Sequence, residues 1–472
     1  MTEFISVKQF AEKNNISVRR VQILCNEQRI NGAKKFGKVW LIPENAEKLP
    51  KRKKTKTQIN VLSLFSGCGG MDLGFEGDFT VPKRCVNKKV CADWKVKKTE
   101  DNKVLLPKTS FNTIFANDIK DYAKTAWTNY FNKKGINEGI YYLDSIVDLV
   151  KLHKENNIDI FPHNVDVVTG GFPCQDFSVS GNRLGLESVI GHDGKKIDGP
   201  SEESRGKLYM WMREVIAITQ PKMFIAENVK GLVSLGDVKK IIERDFGAIS
   251  ENGYAVVPAK VLHAANYGVP QSRERIIFFG FKKSALNKSA LKALTADTVP
   301  DEYNPYPPPT HSYNEKGKKL LKPVTVKEAL CGLQEPDISQ DLSQQKYSMA
   351  KFMGRHCQGQ TEINLDKIAP TIRSEHHGNI EFRRLSAEHG GTHFEELDAG
   401  LEERRLTVRE CARIQTFPDD YQFIIQSNGG QPSISASDAY KLIGNAVPPL
   451  LAYNIAKRIE HLWEKYFGSN TQ

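Results

Sequence analysis

Residues 59–75 read INVLSLFSGCGGMDLGF, and the fold turns on them. The opening INVLSLF (59–65) is a short, nearly continuous apolar run, the signature of a strand buried on both faces. Glycines at 67, 69 and 70 follow. Such a turn passes close to a ligand and opens into a helix whose N-terminus favours negative charge. The spacing departs from GxGxxG and lacks the Lys-Ser/Thr of a triphosphate-binding loop. A cofactor with a small carboxylate and an adenosine suits it better; glycines present only for close packing are the plain alternative.

Four more apolar runs recur downstream: TIFAND (113–118), VDVVTGGF (165–172), MFIAEN (223–228) and RIIFFGF (275–281). Helical patterns such as GKLYMWMREVIAIT (206–219) and VKKIIERDFGAI (238–249) alternate with them. This predicts an α/β fold with a mostly parallel sheet covered on both faces, and ligands collecting at the strands' carboxyl ends. Unusual residues fall at those ends. Asp118 and Asp144 are placed to grip ribose hydroxyls and an adenine amino group. Cys174, in GGFPCQDFS (170–178), sits on a corner stiffened by Pro173, where a thiol is presented; taken alone, it also fits a buried structural cysteine. Glu227 ends the next run and supplies an acid, or half of an ordinary salt bridge. In QSRER (271–275), Arg273 and Arg275 alternate, so along a strand both face one side.

The 472 residues, 39% hydrophobic and 26% charged, describe a globular chain of two or three domains. Without an apolar span or a secretory leader, the expected location is cytoplasmic and nucleoid-associated, with no membrane partner. The eight cysteines are scattered without a CxxC pair, so neither a disulfide framework nor a metal site is expected. Of the net +11 charge, most sits in residues 1–57, which hold 14 Lys/Arg against 5 Asp/Glu. A second basic stretch, 82–108, holds nine against three, reading as a phosphate-binding surface or a solvated, disordered insertion.

Residues 1–50 form a unit of their own. SVKQFAEKNN (6–15) and SVRRVQILCNEQRI (17–30) carry helical stripes at Val7, Phe10, Ala11 and at Val21, Leu24, Cys25, with Ser17 as N-cap. GAKKFGKVWLIP (32–43) follows as a hairpin. The pattern resembles MerR/excisionase-type winged helix-turn-helix domains, implying DNA contacts from Arg19, Arg20, Lys34, Lys35 and Lys38. A helical hairpin for protein contacts is the alternative. Residues 51–58 form a basic linker, 283–435 a loop-rich region around YNPYPPPTHSY (303–313), and 436–472 a closing helix.

In chain order, FSGCGGMDLGF, GGFPCQDFS, SRGKLYMWM, AENVKG, QSRER, RLTVRECARIQTFPDDY and LIGNAVPPL resemble the blocks of DNA (cytosine-5) methyltransferases of the prokaryotic type II restriction–modification kind. The resemblance implies a Rossmann-like S-adenosylmethionine-dependent catalytic domain over 59–282, completed by 436–472, with a target recognition domain at 283–435. It implies a cofactor pocket from Phe65, Ser66, Gly67, Cys68, Gly69, Gly70, Asp118, Ile119, Asp144, Ser145, Pro173, Leu208, Asn445 and Val447. It makes Cys174 the nucleophile and Glu227 the residue at the cytosine N3 edge, with Arg273 and Arg275 bracing the site. The implied partner is double-stranded DNA, with a cognate restriction endonuclease as functional counterpart. The sequence also allows two other readings: a regulator working through the N-terminal unit, which would bind its own promoter, and an RNA cytosine methyltransferase on the same core.

Overall fold

A computed structural model describes residues 4–14, 16–26, 30–36, 39–46, 58–99, 102–173, 207–314, 319–374, 380–426 and 433–468. The chain divides into two compact units, Met1–Thr57 and Gln58–Gln472.

The first unit contains β1 (Phe4–Ser6), α1 (Val7–Lys13), α2 (Val18–Asn26), β2 (Lys34–Phe36) and β3 (Val39–Pro43). Ser6 and Gln9 form a capping box at α1, and Ser17 Oγ accepts from Arg20 N (3.2 Å), starting α2 as its sequence predicts. The hairpin gains a third strand, since β1 pairs antiparallel with β3. Phe10, Ala11, Val21, Leu24, Cys25, Ile30 and Ile42 form the core. Arg19, Arg20, Lys34 and Lys35 are exposed, whereas Lys38 lies outside the described residues.

The second unit opens with β4 (Ile59–Leu64), α3 (Gly70–Glu76), β5 (Phe79–Pro82), β6 (Lys97–Lys98), β7 (Lys103–Leu106), β8 (Phe111–Asn117), α4 (Asp121–Phe131), β9 (Tyr141–Tyr142) and α5 (Ile146–Glu155). It continues through β10 (Val167–Gly171), α6 (Leu208–Thr219), β11 (Met223–Val229), α7 (Val238–Gly247), β12 (Tyr254–His263), β13 (Glu274–Lys282) and α8 (Lys288–Leu294). Short pieces follow, namely α9 (Val326–Leu330), α10 (Leu342–Gln345), β14 (Phe382–Arg384), α11 (Phe394–Asp398) and β15 (Arg404–Arg405). Last come α12 (Val408–Ile414), α13 (Ala436–Asn445) and α14 (Pro449–Phe467).

Seven strands form one sheet in the order β12-β13-β11-β10-β4-β8-β9. The pairs from β9 to β11 are parallel, and β13 runs antiparallel to both β11 and β12. Successive residues feed opposite faces. Ile59 and Val61 join the core shared with α3, α4 and α14, while Leu62 and Leu64 join the core shared with α5, α6 and α7. Sheet and helices therefore follow the alternation predicted from the apolar runs; β12, whose pattern is less apolar, is a strand the sequence did not reveal.

Three expectations change. The basic stretch 82–108 is largely folded: β5, β7 and β6 form an antiparallel sheet, with Phe79 and Trp94 edge-on to Tyr453. Its apolar residues Cys85, Val86, Val104 and Leu106 are buried while Lys83, Lys88, Lys89, Lys95, Lys97 and Lys98 face water, so this segment is not a disordered insertion. The closing helix is two helices, because Pro448 and Pro449 interrupt the backbone ladder between α13 and α14. Residues 283–435 are loop-rich as expected, yet they pack in the same compact unit as the sheet and share its core through Ile363, Ile372 and Leu406.

Candidate active site

The turn after β4 is built on left-handed backbone at Phe65 (φ 53°), Gly67 (φ 54°) and Gly69 (φ 75°). Neighbours hold it at several points. Ser66 N donates to Asn117 O (2.8 Å) and Gly67 N to Asp118 Oδ2 (2.9 Å). Tyr141 Oη donates to Gly67 O (3.0 Å) and Tyr421 Oη to Cys68 O (2.6 Å). The other Asp118 oxygen accepts from Lys120 N (3.1 Å), so the carboxylate is aimed by two backbone amides. Burial raises the Asp118 carboxyl above the ordinary range, against those bonds.

The turn opens on a cavity of about 940 Å³ at the carboxyl ends of β4, β8, β10 and β11. Phe65, Ser66, Gly67, Cys68, Gly70, Asp118, Ile119, Ser145, Pro173, Leu208, Asn445 and Val447 line it, together with Glu227 and Arg275.

Two predicted cofactor residues do not line it. A Cβ on Gly69 would lie 2.6 Å from both Trp127 and Phe131, so that glycine serves packing against α4. Asp144 is exposed, and its carbonyl accepts from Asn117 Nδ2 (2.8 Å). The chain turns there so that Ser145 caps α5, and Ser145 and Ile146 face the cavity instead.

Glu227, near the end of β11, is 6% exposed. Arg275 Nε lies 2.7 Å from its Oε1. Burial raises the Glu227 carboxyl, opposed first by Arg275 and then by Arg273. Glu227 pairs in register with Gly171 of β10, and a Cβ on Gly171 would stand 2.8 Å from Glu227 Oε2. Beside it, Asn228 Nδ2 donates to Phe172 O (3.1 Å), tying the acid-bearing strand to the segment that leads into Cys174. Cys174 itself lies outside the described residues.

Arg273 does not share the face of Arg275. Strand β13 begins only at Glu274, so the alternation does not reach back to it. Its fully buried guanidinium donates instead to Gly444 O (2.7 Å), Ala446 O (3.0 Å) and Ile372 O (3.3 Å), bracing the α13–α14 junction beside Asn445. Arg409 and Glu410 are structural: Arg409 pairs with Asp341, and Glu410 with Arg404 (2.9 Å). The cavity also takes Tyr122, Arg373 and Lys441, which no local motif marked.

Among the described residues no cluster of three or more His, Cys, Asp or Glu is arranged to hold a metal, and no helix is long and apolar enough to cross a membrane. Residues 59–461 match the C-5 cytosine-specific DNA methylase family. The chain is 33% identical over 430 residues to the type II methyltransferase M.BspRI of Lysinibacillus sphaericus, covering 88% of this chain and 84% of that one. It is 31% identical over 425 residues to M.BsuRI of Bacillus subtilis, covering 88% and 82%. A solved structure of a Spodoptera frugiperda DNMT2 variant superposes with a TM-score of 0.50 at 17% identity, covering 85% of this chain and 99% of that one, a likeness of fold. The protein belongs to the C-5 cytosine-specific DNA methyltransferases of type II restriction–modification.

Proposed function

We propose that the enzyme transfers a methyl group from S-adenosylmethionine to C5 of a cytosine flipped out of duplex DNA, through a temporary bond between Cys174 Sγ and C6. The observation that carries this reading is Glu227: a buried carboxyl of raised pKa, clamped by Arg275, opening on the same cavity as the glycine turn.

The residues present suit the cofactor. A Cβ on Gly67 would meet nothing within 4 Å, so the turn leaves room for a ligand at its crest, and the fixed Asp118 carboxylate is an acceptor pair for vicinal hydroxyls. When bound, the cofactor supplies an electrophilic methyl on a sulfonium. The rest falls to the chain. C5 of cytosine is a weak nucleophile; addition of the Cys174 thiolate to C6 and a proton or hydrogen bond from Glu227 at N3 turn it into an enamine carbon. C5 takes the methyl as its bond to the sulfonium breaks and a neutral thioether is left; C5 then loses its proton to a base, the C6–S bond breaks to return the thiolate, any proton on N3 goes back to Glu227, and the ring's double bond returns. Eversion of the base costs a few kcal/mol and is met by protein contacts.

Residues 283–435 are assigned to target recognition, and the N-terminal unit, with exposed Arg19, Arg20, Lys34 and Lys35, to a second duplex, its own promoter. The biological role follows: protection of host DNA from a cognate endonuclease. Bisulfite sequencing of DNA from cells expressing the protein tests the whole reading. Modified cytosines at one short sequence, absent with Cys174→Ser, support it; unmodified DNA from the wild type overturns it. Deleting residues 1–50 should leave methylation intact and abolish promoter binding.

A further inference from the structure

Asp72 lies in the first turn of α3, directly behind the glycine turn; it is 1% exposed and does not line the cavity. Both its oxygens are engaged. Ser63 Oγ donates to Oδ1 (2.5 Å), and Trp127 Nε1 donates to Oδ2 (2.8 Å). The chain of bonds runs on toward the cavity: Ser66 Oγ donates to Ser63, its proton shared between Ser63 Oγ (2.9 Å) and Ser63 O (3.1 Å), and Asn117 N donates to Ser66 Oγ (3.1 Å). Ser63 and Ser66 are cavity residues, and Ser66 is also held through its own N–H on Asn117 O (2.8 Å).

A hydroxyl can donate or accept, so a serine pair by itself has two directions. An ionised carboxylate can only accept, and it orders the chain from Asn117 through Ser66 and Ser63 into Asp72. We propose that Asp72 is a positioning residue for the cofactor: as the acceptor at the base of this chain, it fixes the Ser63 and Ser66 hydroxyls and the turn they support. The proposal rests on the cofactor reading of the cavity.

The arrangement is pH-sensitive. Burial pushes the Asp72 carboxyl up to about 6, against the bonds from Ser63 and Trp127. The titratable groups that sense it are Cys68 and Glu76 on its own segment, Tyr141 from β9 and Tyr421 from the stretch after α12, each itself raised by burial. With the folded pKa above the unfolded one, protonation favours the fold: stability from this group is present at low pH and lost as pH rises through about 6. The positioning role has the opposite sign, since protonated Asp72 presents an O–H that Ser63 must turn round to accept.

The test is calorimetric titration of the full chain with S-adenosylhomocysteine between pH 5 and 8.5, for wild type, Asp72→Asn and Ser63→Ala. An Asn amide offers one acceptor and one donor where two donors arrive, so Asp72→Asn should bind about tenfold more weakly at pH 8 and lose the pH dependence centred near 6. Any dependence from Asp118 stays in both proteins. Ser63→Ala removes one hydroxyl, keeps the fold and should weaken binding in the same direction, with affinity for duplex DNA unchanged. Both variants binding within twofold of wild type at pH 8 would overturn the role of Asp72. A wild type that binds no S-adenosylhomocysteine would overturn the cofactor reading as well.

Discussion

Arg275 Nε and Glu227 Oε1 stand 2.7 Å apart with both side chains about nine-tenths buried, on adjacent antiparallel strands whose register pairs Val229 with Arg275. The pair resolves a competition. Burial raises the Glu227 carboxyl; the guanidinium draws its pKa back without cancelling the rise. The carboxyl is thereby buried and paired at the edge of the cavity that the glycine turn also lines.

Replacing Glu227 by Gln should lower the methylation rate about 10²–10⁴-fold, the range for loss of a positioned general acid. Duplex binding should persist. A single-turnover assay with labelled methyl donor checks this, and a loss under tenfold would remove Glu227 from the chemistry.

Gly171→Ala probes the same carboxyl from the neighbouring strand. The added methyl would approach Glu227 Oε2 to 2.8 Å, so the acid must move or the strands must part. Activity should fall at least tenfold, with about 1–3 kcal/mol of stability lost as overpacking. Denaturant unfolding and turnover, measured on one preparation, separate the two effects.

Arg273→Lys should act at a distance from the base. A lysine cannot span Gly444 O, Ala446 O and Ile372 O as the guanidinium fork does, so at least one buried carbonyl loses its partner. The expected result is about 1–3 kcal/mol of destabilisation and a raised KM for the methyl donor, because Asn445 and Val447 lie at that junction. An unchanged KM would confine Arg273 to the fold.

Asp419 accepts from Arg413 and from Lys103 (2.6 Å), joining β7 to the stretch after α12, and these cations lower its carboxyl to about 2. A depressed pKa gives stability that is present above the unfolded value and lost as pH falls toward about 2. The side chain is partly exposed, so solvent screening discounts the effect to about 1 kcal/mol. Asp419→Asn should unfold at lower urea at pH 7, with a gap that narrows as pH drops below 4.

Much of the lining of the candidate site was legible in the sequence. FSGCGG, AENV and LIGNAV sit at strand or helix ends, and in an α/β sheet strand ends converge. The failures are equally physical. Asp118 and Asp144 look alike in sequence, yet two amides aim Asp118 at the cavity while Asp144 faces solvent. Among the turn's glycines, Gly67 opens to the cavity and Gly69 backs onto Trp127 and Phe131. The lysines of 82–108 hid a folded sheet, because its buried residues are few and scattered between charges.

The amino-acid order by itself determined β4, β8, β10, β11 and β13, the glycine turn, the Ser17 cap and the order of the blocks along the chain. These depend on periodicity and backbone freedom among residues a few positions apart. Tertiary structure alone decided which of those residues meet: Arg273 with Gly444, 171 positions on, or Tyr421 with Cys68, 353 positions back. Such contacts arise only when the sheet closes over its helices and burial selects, among many polar groups, the few whose partners are already in place.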